Sequence, residues 1–349
     1  MKNLPRHDYA PFLTRRTVLA GLGALAVSST VRAQPETTDF DVIGVKDPQV
    51  GAQLAIAQHY SLFKEQGLNV NVRWTQSVAD VLTIMGGGAT PVGLGGSFTQ
   101  VLFGGQNLPI RTISALADIA ETQGLALAPK VKIAHPRDLE GKRLAFTQGN
   151  SHVLMLAKLA NTYGFDHKKV TLVNMNQSEG VVAASRGDVD GLLGWHPNLF
   201  RLMSMGGSLY FTGGTIYQDG KPQTLTDKLL YANTVVMASN TWIESKPNTL
   251  AALLRALQSA TTMINSDRPR ALQALQRVLS IDLDMLETMV SANKYAMGIH
   301  PGLLASHRFQ TDWALTVKRI NEAPTTASCF TTKIAKMVDP SLVSWNPDV

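Results

Sequence analysis

Residues 70–98 and 170–197 carry one hydropathy pattern twice. The first stretch reads VNVRWTQSVADVLTIMGGGATPVGLGGSF and the second VTLVNMNQSEGVVAASRGDVDGLLGWHP. Each opens on alternating apolar and polar residues, the period of a half-buried strand. Each passes through Gln-Ser, Gln76-Ser77 or Gln177-Ser178, into a run of helical spacing that stops at glycine, Gly86 or Gly187. Each closes on a short apolar strand, near residues 91–95 and 189–194.

The stretches before these copies match in kind. FDVIGVKDPQVGAQLAIAQHYSLFKEQG and RLAFTQGNSHVLMLAKLANTYG both read as strand, loop, helix and glycine stop, with Gly67 and Gly164 as terminators. In the second, Leu154, Leu156, Leu159 and Ala160 are read as one helical face. Strand–helix–strand–helix–strand therefore occurs twice, and it predicts an α/β fold of two Rossmann-like lobes, each a small parallel sheet covered by helices. Ligands of such sheets sit beyond the carboxyl ends of the strands. The loops so placed are 46–50, 95–98, 148–152 and 194–198, and two facing lobes would bring them to one cleft.

Two of these loops offer a helix start. Gly95-Gly96-Ser97 precedes FTQVLF, and Gly149-Asn150-Ser151 precedes HVLMLAKLA. Small residues with hydroxyl or amide groups cap helices. Free N–H groups at a helix start also receive anions, aided by the helix dipole. Two readings stand for the pair: two caps, or two grips on one sulfonate, carboxylate or nitrate. Trp195-His196-Pro197 ends the last strand of the second copy, either as a lid on the core or as a wall of the cleft. Gly86-Gly87-Gly88 ends a helix and lacks the Gly-Lys-Ser/Thr finish of a phosphate loop, so it reads as a turn.

Other chemistry is sparse. His59, His135, His152, His167, His196, His300 and His307 show no metal-ligand spacing, and there is no Gly-x-Ser-x-Gly elbow. The sequence thus assigns no metal, no cofactor and no catalytic residue, and the chain is not read as an enzyme. Cys329 is the only cysteine, which excludes an internal disulfide and a cysteine-rich metal site. His152 and His196 alone fall in the cleft loops. An exported α/β enzyme using one of them as general base is the alternative of a different class.

Charge matters mainly at the N-terminus. Thr14-Arg15-Arg16, an apolar run over 18–27 and Val31-Arg32-Ala33 before Gln34 compose a twin-arginine export signal over residues 1–33. The run falls short of the ~20 residues that span a bilayer, so no membrane insertion is expected. Five basic and one acidic side chain in this segment account for +4 of the formal +6. The rest of the chain is close to neutral and has no basic stripe, which argues against nucleic acid as a partner.

The phrases LAIAQHYSLFKEQGLNVNV, QGLAL at 123–127, HPRDLEGKRLAFTQGNSHVLM, SRGDVDGLLGWHPNL and VVMASNTWIESKPNTLAALLRAL are spread over nearly the whole chain after the signal. Together they resemble the periplasmic substrate-binding proteins of bacterial ABC importers, in the sulfonate, taurine and nitrate group, or NMT1/THI5-like family. The resemblance implies a type II periplasmic binding protein, two lobes joined by a two-strand hinge and closing on a small ligand. Lobe 1 would hold residues 39–125 and 232–349 and lobe 2 residues 126–231, with crossings near 125–130 and 228–234. By position, Gln49, Ser97, Phe98, Asn150, Ser151, His152, Trp195 and His196 would line the cleft, with Asn233 at the second crossing.

The resemblance further implies a periplasmic monomer that delivers a small-molecule anion to ABC permease subunits, or to a sensory receptor. Many family members carry an acidic residue between the Trp and the Pro, where this chain has His196. With no carboxylate there to pair with an amine, the expected ligand is a sulfonate, carboxylate or nitrate-like anion without a free amine. A pyrimidine or other neutral ring compound is the alternative. The pyrimidine-synthesising branch of the family has a cysteine-rich motif that is missing here. The tail from Pro324 onward is expected to wrap the first lobe or fray.

Overall fold

The computed structural model describes residues 33–148 and 152–347. Residues 1–32 of the expected export signal lie outside this range, and so do Asn150 and Ser151. Residues 34–349 form one unit. Its strands, in chain order, are β1 (Asp39–Val45), β2 (Asn69–Thr75), β3 (Val92–Gly96), β4 (Ile110–Asp118), β5 (Gln123–Leu127), β6 (Arg143–Phe146), β7 (Thr171–Asn174), β8 (Gly191–Trp195), β9 (Ser208–Thr212), β10 (Thr215–Gln218), β11 (Lys221–Thr224), β12 (Asn233–Ser239) and β13 (Lys294–Gly298).

The repeated pattern forms the parallel centre of two sheets. β2, β1 and β3 lie side by side, with Val42 opposite both Val72 and Val92. β7, β6 and β8 repeat the arrangement, with Leu144 opposite Leu172 and Gly191. Each parallel centre is extended by antiparallel strands. The first sheet has the order β13-β4-β12-β3-β1-β2 and the second β11-β10-β9-β5-β8-β6-β7. Both sheets are therefore mixed rather than purely parallel. A strand that enters a sheet without a crossover helix runs antiparallel to its neighbour, as β12 does beside β3 and β5 beside β8.

The chain changes sheet earlier than the sequence suggested. All of β5 pairs within the second sheet, from Gln123 opposite Trp195 to Leu127 opposite Gly191. The first crossing thus falls at residues 119–122, and residues 123–125 belong to the second lobe. The Gly-Leu-Ala-Leu run, buried on both faces, can only sit in a central strand such as this. The chain returns through residues 225–232. Ile119 N donates to Ala232 O at 3.0 Å, so the two connections are tied together.

Side-chain alternation along the second sheet sorts its two cores. Leu125, Leu127, Leu144 and Leu193 face the helix His152–Tyr163 and its Met155, Leu156 and Leu159. Ala126, Ala145 and Leu192 face the helices Gln177–Arg186 and Asn198–Ser204. Each buried leucine contributes about 1.5–3 kcal/mol. On the helix His152–Tyr163 the buried face runs through His152, Met155, Leu156, Leu159 and Ala160. Leu154 is only half-buried, because 100° per residue turns it away from that face.

The helix of the first copy is broken into Ala52–His59 and Leu62–Glu65, since Ser61 between them takes a left-handed φ of 58°. Gly67 and Gly164 end the matching elements at φ 74° and 70°, a conformation that glycine adopts without strain. The tail wraps the first lobe. Phe330 bridges to Thr112 and enters the core with Ile334 and Ala335. No helix among the described residues is long and apolar enough to cross a membrane.

Candidate ligand-binding site

Loops at the carboxyl ends of the strands in both sheets converge on one cavity of about 310 Å³. Asp47, Gln49 and Val50 reach it from the end of β1, and Gln76 and Ser77 from the end of β2. Gly96, Ser97 and Phe98 stand where β3 enters the helix Ser97–Gly105. The second sheet supplies Gln123, His152 and Trp195. Ile119, Leu230, Ala232 and Asn233 come from the connections, and Gln310 from the helix Pro301–Thr316.

Six of the residues expected from sequence are thus brought to one cavity: Gln49, Ser97, Phe98, His152, Trp195 and Asn233. Asn150 and Ser151 lie outside the described residues. His196 is a correction. His196 follows the last residue of β8, stays off the cavity lining that Trp195 joins, and is 3% exposed. It works through its main chain instead. Its N–H donates to Thr122 O at 2.9 Å and its carbonyl accepts from Gln49 Nε2 at 2.7 Å. Burial depresses its imidazole pKa to about 4, so the ring is neutral near pH 7. A neutral ring off the cavity lining lends a ligand no charge near pH 7.

A relay of amides crosses the site. The His196 carbonyl can only accept, so Gln49 must present its NH₂ there. Gln49 Oε1 then accepts from Gln123 Nε2 at 2.8 Å and from Thr122 Oγ1 at 2.9 Å. Gln123 Oε1 accepts in turn from His152 Nε2 at 2.8 Å. The relay fixes His152 as the Nε2–H tautomer, with its ring stacked on Trp195 at a centroid separation of 5.3 Å. Burial pushes the His152 pKa down to about 4, so this ring too is neutral.

The first lobe presents an uncapped helix start. The helix Ser97–Gly105 has Gly96 at its N-cap and no side-chain capping bond. The helix Val78–Gly86, which also begins at the cavity, closes its first turn with a capping box between Ser77 and Asp80. Of these two starts in the first lobe, the one at Gly96 keeps its N–H groups free of side-chain caps. A Cβ at Gly96 would meet nothing within 4 Å, so open space adjoins it. Ser97 Oγ accepts from Asn233 N at 3.2 Å, and Asn233 Nδ2 donates to Ala117 O at 3.2 Å, which anchors this corner to the sheet.

Sequence reasoning passed over Asp47, Gln76, Gln123 and Gln310. Asp47 had a signal, since it stands in a cleft loop before Pro48. Its Oδ1 accepts from Gln49 N and Val50 N, both at 2.8 Å, and so shapes that loop. Burial nevertheless raises its pKa to about 6. Gln310 had none, because nothing local ties a C-terminal helix to loops more than 200 residues earlier. Asp47 and His152 are the only ionisable side chains among the described lining residues. No group of three or more metal-ligating side chains occurs among the described residues.

These two lobes, with a cavity between the carboxyl ends of their strands, have the fold of the periplasmic binding proteins. Residues 50–270 match the family model described as NMT1/THI5 like, and the chain belongs to that family. It is 29% identical to the taurine-binding periplasmic protein of Escherichia coli (strain K12) over 53% of this chain and 54% of that protein. It is 28% identical to a 4-amino-5-hydroxymethyl-2-methylpyrimidine phosphate synthase of Aspergillus parasiticus over 41% of each. The matches thus span about half the length of these relatives or less. The periplasmic aliphatic sulphonate binding protein of Escherichia coli superposes with a TM-score of 0.70 at 12% identity, covering 84% of this chain and 92% of that one. The desulfurization enzyme DSZB shares the fold, with a TM-score of 0.65 at 13% identity over 87% of this chain and 100% of that one. Family and fold therefore include both receptors and enzymes, and the choice between them rests on the site.

Proposed function

We propose that the chain is an exported solute receptor that holds a small organic acid in the interlobe cavity and presents it to an ABC permease in the periplasm. The acid is of the sulfonate class or a close relative. The observation that carries this reading is the uncapped helix start at Gly96 and Ser97, which opens onto a cavity walled from both lobes. Peptide N–H groups at such a start receive an anion without any arginine or lysine. Trp195 and Phe98 supply apolar surface for an organic body. Binding would favour the closed arrangement of the lobes through differential affinity for it. The 29% identity to a taurine-binding protein supports the ligand class.

The enzyme alternative asks more of this site than its residues supply. A general base near pH 7 needs a pKa in that range. His152 is held near 4 with its Nε2–H engaged by Gln123, and Asp47, at about 6, comes closer to that range but spends Oδ1 on two loop N–H groups. The sole cysteine, Cys329, is buried against Gly104 and does not line the cavity. A thermal-shift screen of the purified chain against alkyl and aryl sulfonates, carboxylates, nitrate and pyrimidines tests the reading. A rise in melting temperature with organic acids, each recovered unchanged, is the expected result. A response confined to pyrimidines, or consumption of a compound, would refute it.

A further inference from the structure

A carboxylate shares the cavity into which the Gly96–Ser97 helix start opens. Asp47 lines it from the loop after β1, and only one of its carboxylate oxygens is used. Oδ1 takes the Gln49 and Val50 N–H groups, whereas Oδ2 has no hydrogen-bond partner among the described residues. No Lys or Arg lines the cavity among the described residues, and no described basic side chain forms an ion pair with Asp47. The titratable groups around it bring no balancing charge. His152 lines the cavity from the second lobe and is neutral above its pKa of about 4. Tyr295 of β13 donates its hydroxyl to Pro48 O at 3.3 Å, and burial, with the Asp47 charge adding to it, pushes its pKa up to about 12. Trp74 of β2 and Thr234 of β12, which also meet this loop, do not titrate. Lys46 is exposed, where solvent screens it. A ligand anion beside this carboxylate is repelled by it, and both lose hydration. Two like charges in one site are relieved when one of them takes a proton. A sulfonate stays ionised in water, so the group left to take one is Asp47, which burial already draws toward its neutral form with a pKa of about 6.

We propose that the cavity takes an organic acid that brings no cation of its own together with one proton from solvent, which Asp47 holds on Oδ2. This rests on the organic-acid reading above and deepens it. Protonated Asp47 is neutral, keeps both loop N–H groups on Oδ1 and turns Oδ2 from an acceptor into a donor. That donor joins the N–H groups of the helix start, so the anion meets donors and no opposing charge. Asp47 thereby sets the charge that the cavity accepts, and capture depends on pH. Above pH 6 free Asp47 is largely charged, and each further pH unit costs roughly 10-fold in affinity. Below pH 6 it is already protonated and the affinity levels off. His152 and His196 titrate near 4 and stay neutral through this window.

Calorimetric titration of the purified full chain with propanesulfonate and benzenesulfonate tests this, because neither probe titrates. Cationic buffers of unequal ionisation heat avoid a competing buffer anion and count the protons taken up. Affinity should fall about 20-fold from pH 5.5 to 7.5, with close to one proton taken up per ligand at pH 7.5. Asp47→Asn mimics the protonated form, since its Oδ1 can keep both loop bonds and its Nδ2 is a donor. It should bind equally at both pH values, about as tightly as the unmodified chain does at pH 5.5. An unchanged melting temperature at pH 5.5 checks that the loop survives, and the proton count on the unmodified chain needs no variant. Binding without proton uptake, or a pH dependence that persists in Asp47→Asn, overturns the role of Asp47 while the organic-acid reading stands. No binding of either sulfonate at either pH overturns the organic-acid reading itself.

Discussion

Gln49 in the first lobe donates to the backbone oxygen of His196 in the second, at 2.7 Å, and the bond is buried. The same side chain takes hydrogen bonds from Thr122 and Gln123 at the crossing between the lobes. One amide therefore ties both lobes and the connection between them. Replacing Gln49 with Ala removes the buried donor to the His196 carbonyl and leaves the Gln123 amide only its 3.4 Å contact with Thr122 Oγ1. Each such loss costs about 1–3 kcal/mol. The expected outcome is a melting temperature lower by several degrees, together with a larger radius of gyration by small-angle scattering without ligand. An unchanged radius would mean that the lobes are held by something else.

Gly96 offers a cleaner way to block the site. Its φ of −90° suits any residue, and its Cβ direction is open. Gly96→Val should abolish binding of organic acids and cost about 1 kcal/mol in stability, as expected for a poorer N-cap residue. Gly95→Val is the contrast, because Gly95 does not line the cavity and a Cβ there would lie 2.8 Å from Met237 Cε, the movable end of a flexible side chain. If Gly96→Val binds as before, the helix start is not where the ligand sits.

Acid should weaken the fold through the two buried histidines. His152 and His196 titrate near 4 when folded, against an ordinary 6.5. The unfolded chain takes up their protons first as the pH falls. Their contribution is complete above pH 6.5 and is lost between 6.5 and 4, on the order of 2–3 kcal/mol each. Asp47 acts in the opposite sense. Its folded pKa of about 6 lies above the usual 3.8, so its contribution is present at low pH and lost as the pH rises through 6. Melting curves from pH 4 to 7.5 should fall steeply on the acid side, and less steeply in His196→Gln. A flat profile in both proteins would contradict the burial of these rings.

The doubled strand–helix pattern was legible because period and glycine stops are local features, and β1–β3 and β6–β8 follow it. The Gln-Ser coincidence was not a structural equivalence. Ser77 caps the helix Val78–Gly86, whereas Asn176 caps Gln177–Arg186 and Gln177 is already inside the helix. Gln76 faces the cavity, while Gln177 turns inward to Thr147 at 3.1 Å. A two-residue match says nothing about register, which strand ends and caps decide. The cleft loops could be located from topology. Which side chain of a loop faces inward could not, and Trp195 and His196 differ in that alone. Asp47 and Gln310 depend on packing between distant elements, and one sequence does not display it.

The most direct test is a single titration followed in two ways. An organic acid that responds in the thermal screen is added to the full chain, with heat recorded by calorimetry and the compound followed by proton NMR. The account predicts saturation at one molecule per chain, abolished by Gly96→Val, with the compound recovered intact after hours. Sustained heat with disappearance of the compound would contradict it and make this cavity an active site.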